Sequence, residues 1–181
     1  MTNTQETQGA IVTQIADVEV EAQAKLARQN PRDLKRAMTN ALAELDLDPE
    51  FAQFAYYSIP YKDKNSEDGK TLVEGPSIKA AMSLMRYWGN CANGGRIVTQ
   101  DDERVVVEGI FIDYETNVRT VRQKVVSRLR YNKHTKVMEK LREDRLLLAI
   151  QAGISKAVRD AGLASLPQFY VNRYFQRAKA I

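Results

Sequence analysis

The chain has 181 residues, of which 44% are hydrophobic and 28% charged, and its net charge is +4, as in an ordinary globular domain. The single Cys91 excludes an intramolecular disulfide, and one cysteine with one histidine speaks against a zinc site, which takes four Cys or His ligands. A secretory signal and a long apolar segment are both missing from the sequence, so the expected location is a reducing cytoplasm and not a membrane.

The charge is distributed unevenly along the chain. Residues 1–116 carry 12 Lys and Arg against 19 Asp and Glu, a net charge of −7, whereas residues 117–181 carry 15 against 4, a net charge of +11. A strongly cationic part of this kind is typical of proteins that bind polyanions. A binding surface is therefore expected in the C-terminal third.

The first thirty residues predict an arm and not part of the core. Residues 1–9 are rich in Thr and Gln and are expected to be disordered. Residues 11–28 show a weak amphipathic pattern that is compatible with a helix. Residues 1–30 are therefore expected to form a flexible or weakly helical N-terminal arm.

A packing helix is expected within residues 31–50. Asn30 is its predicted N-cap, Pro31 fits its first turn, and the apolar pattern ends near Asp46. This helix is expected to contact the rest of the subunit or a second subunit and to carry no chemistry. Residues 51–181 then remain as the functional core.

An aromatic β-hairpin is expected over residues 54–74. The segment from Phe54 to Tyr61 is aromatic and β-prone, and residues 62–69 form a polar loop. Because Pro60 cannot donate a ladder hydrogen bond, the hairpin is expected at a sheet edge. Its tyrosines either stack on nucleic-acid bases or pack across the strands. They are Tyr56, Tyr57 and Tyr61.

A helix is expected to begin after Gly75-Pro76-Ser77 and to end at Gly89-Asn90. Its apolar face consists of Ile78, Ala81, Met82, Met85 and Trp88, and its polar face of Lys79, Ser83 and Arg86. The opening segment lacks the G-x-x-x-x-G-K-[ST] order of a phosphate-binding loop. No ATP site and no other cofactor is therefore predicted.

Three antiparallel strands are expected next, over residues 96–99, 104–114 and 117–131. The turns between them, at 100–103 and 115–117, are short, which favours a meander. The middle strand is apolar at both odd and even positions and is therefore expected in the centre of the sheet, covered on both sides.

The third strand carries a row of cations. Side chains alternate between the two faces of a strand, and the expected apolar face consists of Val121, Val125, Leu129 and Tyr131. The opposite face has Arg122, Lys124, Arg128 and Arg130, interrupted only by Val126. Residues on one face recur at about 6.6–7 Å, close to the phosphate spacing of an extended single strand. A solvated sheet face is the alternative, but such a face usually mixes both signs, so binding is favoured.

A long helix is expected over residues 137–163 and an aromatic helix over 168–177, with Leu166-Pro167 between them. The expected core face of the long helix consists of Leu147, Ile150, Ile154, Ala157, Val158 and Ala161. Another face combines the cations Arg145, Lys156 and Arg159 with the small Ala149 and Ala152. Small residues here either admit a phosphate chain or, with Gly153, let a neighbouring helix or strand pack closely.

Several short motifs follow one another in a defined order. They are Ile59-Pro60-Tyr61-Lys62, Gly75-Pro76-Ser77-Ile78-Lys79, Trp88-Gly89-Asn90, the basic strand, Glu143-Asp144-Arg145, and Ser155-Lys156-Ala157-Val158-Arg159 before Leu166-Pro167. In order and spacing, over roughly residues 54–175, the chain resembles the phage-encoded single-strand annealing recombinases, the superfamily of Red-beta, RecT, Erf and the eukaryotic Rad-type annealing protein. An acid often follows the alanine at position 80 in that group, whereas this chain has Ala81, so a role of that acid does not carry over.

The resemblance implies an α+β fold with a β-β-β-α core: an edge β-hairpin, a helix, a three-stranded antiparallel meander and a long C-terminal helix. It further implies homo-oligomers in the form of rings, arcs or helical filaments, with a positively charged groove that runs across subunits. The implied function is binding of single-stranded DNA and annealing of complementary strands without ATP, in recombination and repair inside the bacterial host. A bond-breaking enzyme activity is not implied, and docking of a host single-strand-binding protein or a phage exonuclease stays open. The expected DNA ligands are Arg122, Lys124, Arg128, Arg130, Arg145, Lys156 and Arg159, with Lys79 and Arg86 as additions.

Two other functions stay open. The first is a metal-dependent nuclease, in which turn and strand-end acids bind magnesium, although the sequence places no lysine or histidine convincingly as a base. Those acids are Asp101, Asp102, Glu103, Asp113 and Glu115. The second is an oligomeric structural or regulatory phage protein whose cations bind an acidic protein partner. His134 lies alone in a basic loop and is interpreted as solvated or in contact with phosphate.

Overall fold

The computed structural model describes residues 18–62 and 70–181 and shows an α+β fold. The helices α1 to α6 cover 18–29 (in its described part), Leu34–Leu47, Pro49–Phe54, Ile78–Trp88, Glu143–Ser165 and Gln168–Ala180. The strands β1 to β7 cover Tyr56–Lys62, Lys70–Pro76, Cys91–Gln100, Arg104–Asp113, Val118–Ser127, Leu129–Asn132 and Val137–Lys140. The predicted order of hairpin, helix, meander and long helix is confirmed.

Some predictions fall outside the described residues. The predicted disorder of residues 1–9, the first part of the helix expected over 11–28, and nearly all of the loop over 62–69 are among them. Within the described part of the chain, no helix combines the length and the apolar composition that crossing a membrane requires.

The junction between α1 and α2 differs from the prediction. Asn30 does not cap α2 but ends α1, since its backbone and side-chain amides both donate to the Leu26 carbonyl, at 2.9 and 3.3 Å. The N-cap of α2 is Asp33, whose carboxylate accepts a hydrogen bond from the Arg36 amide at 3.0 Å. Pro31 therefore lies in the connection and not in the first turn of the helix.

Strands β3, β4 and β5 form the predicted antiparallel meander, with β4 in the centre. Strand β3 begins at Cys91, earlier than the predicted start at 96, and a shift of register between Ile97 and Thr99 marks an irregularity in it. Gly95 of β3 and Gly109 of β4 lie opposite each other in the ladder. Two facing glycines leave a shallow depression in the sheet, which a helix is able to enter.

Helix α5 lies in that depression and covers one face of the sheet. A Cβ atom added to Gly109 would lie 2.1 Å from the backbone carbon of Ala157. On the helix side, a Cβ atom added to Gly153 would lie 2.6 Å from a methyl group of Val126. The small residue Gly153 thus serves close packing of α5 on the sheet, which supports the packing interpretation over approach of a phosphate chain.

The faces of β5 are the reverse of the prediction. Residues opposite each other in an antiparallel ladder share a face, so Arg122, Lys124 and Val126 lie on the face that α5 covers. Val126 is only 9% exposed, whereas Val125, predicted in the core, is 65% exposed. Because Val125 and Val126 are neighbours, the alternation of this strand fits either face. The position of α5 decides between them.

A second hairpin interrupts both the predicted third strand and the predicted long helix. Strand β5 ends at Ser127, and β6 then pairs with β7 as a two-stranded sheet. The turn between them contains Lys136 with a positive φ of 56°. The helix expected from Val137 begins only at Glu143, where Glu143 and Asp144 place negative charge in its first turn and so favour a helix start.

The first hairpin, β1 with β2, is a two-stranded sheet of its own. Both of its strands are therefore edges, in agreement with Pro60 in β1. Tyr57 lies opposite Gly75, and its hydroxyl would be 2.7 Å from a Cβ atom added there, so this ring fills the space above the glycine. Tyr56 meets a phenylalanine ring of α6 edge-on at 6.1 Å. Both rings pack within the subunit, and Tyr61, 65% exposed, stays available for stacking.

The helices α2 to α6 enclose the main core, to which the sheet contributes one side chain, Phe111. Tyr170 and Tyr174 of α6 are fully buried in it, and the Tyr170 ring lies 5.3 Å from that of Trp88. Ser83, predicted on the polar face of α4, is buried here, and its hydroxyl donates to the carboxylate of Glu44 on α2. The polar face of α4 is therefore narrower than its helical period predicts.

Candidate nucleic-acid interface

The β6–β7 hairpin and the start of α5 enclose an open pocket of about 510 Å³, called here the basic pocket. Its lining contains five Lys and Arg side chains, one histidine, His134, and one carboxylate, Glu139. The five cations are Arg130, Lys133, Lys140, Arg142 and Arg145. They come from three elements that are adjacent in the chain, which explains why the sequence is so basic between 119 and 145.

The turn of the hairpin is held by side-chain hydrogen bonds. The carbonyl oxygen of the Asn132 side chain accepts from the His134 amide at 2.9 Å, and its amide nitrogen donates to Glu139 at 2.9 Å. The Thr135 hydroxyl also donates to Glu139, at 2.8 Å. Hydrogen bonds from Asn132 and Thr135 hold the pKa of Glu139 below its usual range. The pocket therefore contains one carboxylate that is bonded to its own turn and not paired with a cation.

Three cations of the basic pocket have no ion pair among the described residues, and they are Arg130, Lys133 and Arg145. The other two form surface pairs, Lys140 with Asp102 at 3.0 Å and Arg142 with Asp144 at 3.2 Å. Exposed pairs of this kind are screened by solvent and contribute little to stability, so a polyanion displaces them at little cost. The cations of the basic pocket are therefore available to pair with a polyanion.

Two of the predicted DNA ligands share one carboxylate. Lys124 lies 2.7 Å from Asp160 of α5, and Arg159 donates two hydrogen bonds to Asp160, at 2.8 and 2.9 Å. Burial opposes the ionisation of Asp160, but the bonds from Lys124 and Arg159 outweigh it and hold its pKa below the usual range. Lys124 and Arg159 together with Asp160 thus carry a net charge of about +1 and not +2. Arg122, on the same face of β5, is exposed.

Arg128 and Lys156 have different surroundings. The guanidinium of Arg128 donates to the Asp101 carbonyl at 2.8 Å, and the Arg128 backbone bonds to the Glu103 and Leu141 backbones. Arg128 therefore joins the β6–β7 hairpin to the turn between β3 and β4. Lys156 is exposed on α5 and has no ion pair within the described ranges.

Lys79 and Arg86 lie elsewhere. They line a second pocket, of about 220 Å³, between α4 and the helices α2 and α3, and this pocket shares no residue with the basic pocket. The Lys79 ammonium lies 4.2 Å from the centre of the Phe54 ring, and Arg86 lies 3.5 Å from Glu44. The structure thus brings together Arg130 with Arg145, and Lys124 with Arg159, but separates Lys79 and Arg86 from both groups.

The basic pocket also contains Lys133, Lys140 and Arg142, which the sequence does not single out as ligands although they lie in the same basic stretch. For Lys140 and Arg142 the reason is that residues from 137 onward are predicted to be helical. The turn Asn132-Lys-His-Thr-Lys136 lies between two short segments of alternating character, and this pattern is the signal of a hairpin.

The acids considered for magnesium do not converge. Asp101 and Asp102 precede β4 and Asp113 ends it, a separation of about 30 Å for a ten-residue strand. Asp113 accepts from the Arg32 guanidinium at 3.0 Å, and Glu115 accepts from the Arg32 amide at 2.8 Å. Within the described residues no group of three His, Cys, Asp or Glu side chains is arranged to hold a metal ion.

Known proteins offer no closer guide to this interface. No family model, no curated protein and no solved structure matches the chain. The main structural indication of a function is therefore the convergence of five cations in the basic pocket, three of them without a carboxylate partner among the described residues.

Proposed function

We propose that the protein binds single-stranded DNA and anneals complementary strands without ATP, as a binding protein and not a bond-breaking enzyme. The observation that supports this proposal best is the basic pocket, in which Arg130, Lys133 and Arg145 have no carboxylate partner among the described residues. The resemblance of the motif order to phage single-strand annealing proteins points to the same class of ligand.

Annealing by such a surface rests on electrostatics. Two DNA strands repel each other through their phosphates, and cations that neutralise phosphates lower this repulsion and release counterions. Tyr131 lines the pocket beside these cations and is 53% exposed, so its ring is available for stacking on a base. Phosphate contacts and stacking are nearly independent of base sequence, so the binding is expected to discriminate little between sequences.

Assembly into a ring, arc or filament is part of the proposal. On the face of the meander opposite α5, Val125 is 65% exposed, and the outer edges of β3 and β5 pair with no described strand. An exposed apolar side chain and two free edges on one sheet are features that a second copy of the chain is able to cover. Adjacent basic pockets would then follow one DNA strand from subunit to subunit.

The test is salt-dependent binding to a fluorescent single-stranded oligonucleotide, followed by annealing to its complement without ATP. Arg130→Ala and Arg145→Ala are each expected to weaken binding and to reduce the slope of log K against log salt by about 0.7 for each lost phosphate contact. Arg36→Ala removes one exposed charge on α2 and is the matched control, with binding unchanged.

If both pocket variants bind the oligonucleotide with the affinity and the salt slope of the wild type, the basic pocket does not bind DNA. Large differences in affinity between strands of equal length and different sequence would contradict the binding mechanism. Cleavage of the labelled strand on addition of magnesium would favour a nuclease instead.

A further inference from the structure

The second pocket, called here the α4 pocket, differs in chemistry from the basic pocket. Three of its lining residues, Phe51, Ile78 and Met82, are apolar, and Met82 is 40% exposed. Two cations, Lys79 and Arg86, and one carboxylate, Glu44, also line it. Apolar side chains beside two cations are suited to a ligand that is both apolar and acidic.

The size of the α4 pocket limits what enters it. Its volume is about 220 Å³, below the range of about 300–1,000 Å³ that is typical of sites for cofactors and drug-sized molecules. The pocket therefore has room for one large apolar side chain and not for a complete cofactor. A single apolar side chain that enters a pocket is how a short peptide segment anchors itself on a protein surface.

The two cations are held in place but stay accessible. Lys79 lies over the Phe54 ring at 4.2 Å, which restricts its ammonium without neutralising it. Arg86 has a side chain that is 67% exposed, and it approaches Glu44 only to 3.5 Å. The second oxygen of Glu44 accepts from the buried Ser83 hydroxyl, so this carboxylate is oriented toward the helix interface.

The spacing of the cations sets a spacing for the ligand. Lys79 and Arg86 are seven residues apart on α4, which corresponds to about 10 Å along the helix axis. In an extended peptide, side chains four residues apart lie on the same face, about 13 Å apart, a distance that the long Lys and Arg side chains are able to span. A segment with acids four positions apart and an apolar residue midway between them therefore presents all three side chains to the pocket.

We propose that the α4 pocket is a docking site for a short acidic segment of a partner protein, anchored by one apolar side chain between two carboxylates. The apolar side chain enters between Phe51, Ile78 and Met82, and the carboxylates pair with Lys79 and Arg86. Single-stranded DNA fits this pocket poorly, because the phosphate chain has no apolar side chain to insert. The proposal is independent of DNA binding by the basic pocket.

The test is fluorescence anisotropy with the labelled peptide Ser-Asp-Gly-Leu-Gly-Asp-Ser and the full chain. Lys79→Glu and Arg86→Glu are each expected to weaken peptide binding about tenfold or more, the effect of about 1.4 kcal/mol. Met82→Asp, which places a charge among the apolar lining residues, is expected to weaken it similarly. Peptides with Asn for both Asp, or with Ser for Leu, are expected to bind more weakly to the wild-type protein.

Arg130→Ala is the matched control, since it removes a cation from the basic pocket and is expected to leave peptide affinity unchanged. Circular dichroism and thermal unfolding of each variant separate loss of binding from loss of fold. Absence of peptide binding to the folded wild-type protein would overturn the proposal. Equal weakening by Arg130→Ala and Arg86→Glu would also overturn it, because it would show unspecific attraction of an acidic peptide to a basic protein.

Discussion

Arg32 is the residue that ties the N-terminal helices to the sheet. Its guanidinium donates to the carbonyls of Trp88 and Gly89, at 2.7 and 3.1 Å, and to the Asp113 carboxylate at 3.0 Å. It also lies 4.0 Å from the centre of the Trp88 ring, and its side chain is only 6% exposed. In the sequence, Arg32 follows Pro31 in the predicted first turn of a packing helix, so its role is visible only in the folded chain.

The ionisation of Asp113 depends on these contacts. Burial opposes the charged form, but hydrogen bonds from Arg32 and from the Trp88 indole outweigh burial and hold the pKa of Asp113 below its usual range. A carboxylate whose pKa is lowered by folding stabilises the protein above its unfolded pKa, about 3.9 for Asp, and this contribution is lost as the pH falls through the folded pKa.

Asp113→Asn is therefore expected to lower the free energy of unfolding at pH 7 by about 1.5–3 kcal/mol, the contribution of a hydrogen bond to a charged group. The difference from wild type is expected to shrink below about pH 4, since the unfolded wild-type chain then takes up a proton at this carboxylate before the folded chain does. Urea unfolding at pH 7 and near pH 3 measures both values.

Glu103→Gln, at an exposed turn carboxylate, is the matched control and is expected to stay within about 0.5 kcal/mol of wild type at either pH. A deficit of Asp113→Asn that is equally large at pH 7 and pH 3 would contradict the assignment of the effect to the charge of Asp113.

At the scale of elements, the contact of α5 with the meander explains the reversed faces of β5. Gly95 and Gly109 face the helix, and Gly153 faces the sheet, so the backbones approach more closely than larger side chains permit. Of the apolar residues of β5, Val126 then belongs to the core and Val125 does not. Glycines on β3, β4 and α5 thus determine which face of β5 is buried.

Gly109→Ala is expected to destabilise the protein by at least about 1–3 kcal/mol, because its Cβ would lie 2.1 Å from the α5 backbone and the helix must move away. Gly94→Ala is the matched control in the neighbouring strand, since a Cβ atom there meets nothing within 4 Å. This variant is expected to be neutral or slightly stabilising. Urea unfolding compares the two, and equal stability of both variants would contradict the close contact.

The β6–β7 hairpin is positioned by the turn that precedes β4. Arg128 donates to the Asp101 carbonyl, and Lys140 pairs with Asp102. These contacts hold the hairpin beside the meander, so the cations of the hairpin face those at the start of α5. The basic pocket therefore combines β6, part of the predicted third strand, with β7 and the start of α5, which the sequence predicts as one helix.

At the scale of the whole molecule, the basic pocket and the exposed Val125 lie on different parts of the subunit. The basic pocket belongs to the β6–β7 hairpin and α5, whereas Val125, 65% exposed, lies on the face of the meander opposite α5. The proposed DNA-binding surface and the proposed subunit contact therefore do not compete for the same residues.

Val125→Lys tests this separation. Because the side chain is exposed in the subunit, the free energy of unfolding is expected to change by no more than about 0.5 kcal/mol. Light scattering is expected to show a smaller assembly than wild type. The reason is that a charge at position 125, on the face of the meander opposite α5, opposes contact of this face with a second copy. Leu47→Lys, at an 85% exposed position on α2, is the control with unchanged mass. An unchanged mass for Val125→Lys would exclude this face from assembly.

The local sequence determined the fold class and most of the elements. Ser77 as N-cap and Gly89 at the end define α4, the short turns around β4 define the meander, and Leu166-Pro167 separates α5 from α6. These features depend on residues close together in the chain, where backbone preferences and capping decide the conformation. The concentration of cations after residue 117 is likewise a property of the sequence alone.

Only the tertiary structure decided which of those cations converge. Arg130 meets Arg145 because residues 137–140 pair as a strand, Lys124 meets Arg159 because both reach Asp160, and Lys79 faces another pocket with Arg86. A strand with apolar residues at both odd and even positions fits two orientations equally well, and long-range packing of α5 selects one. Positions in space that depend on distant contacts are not encoded in the spacing of residues along one element.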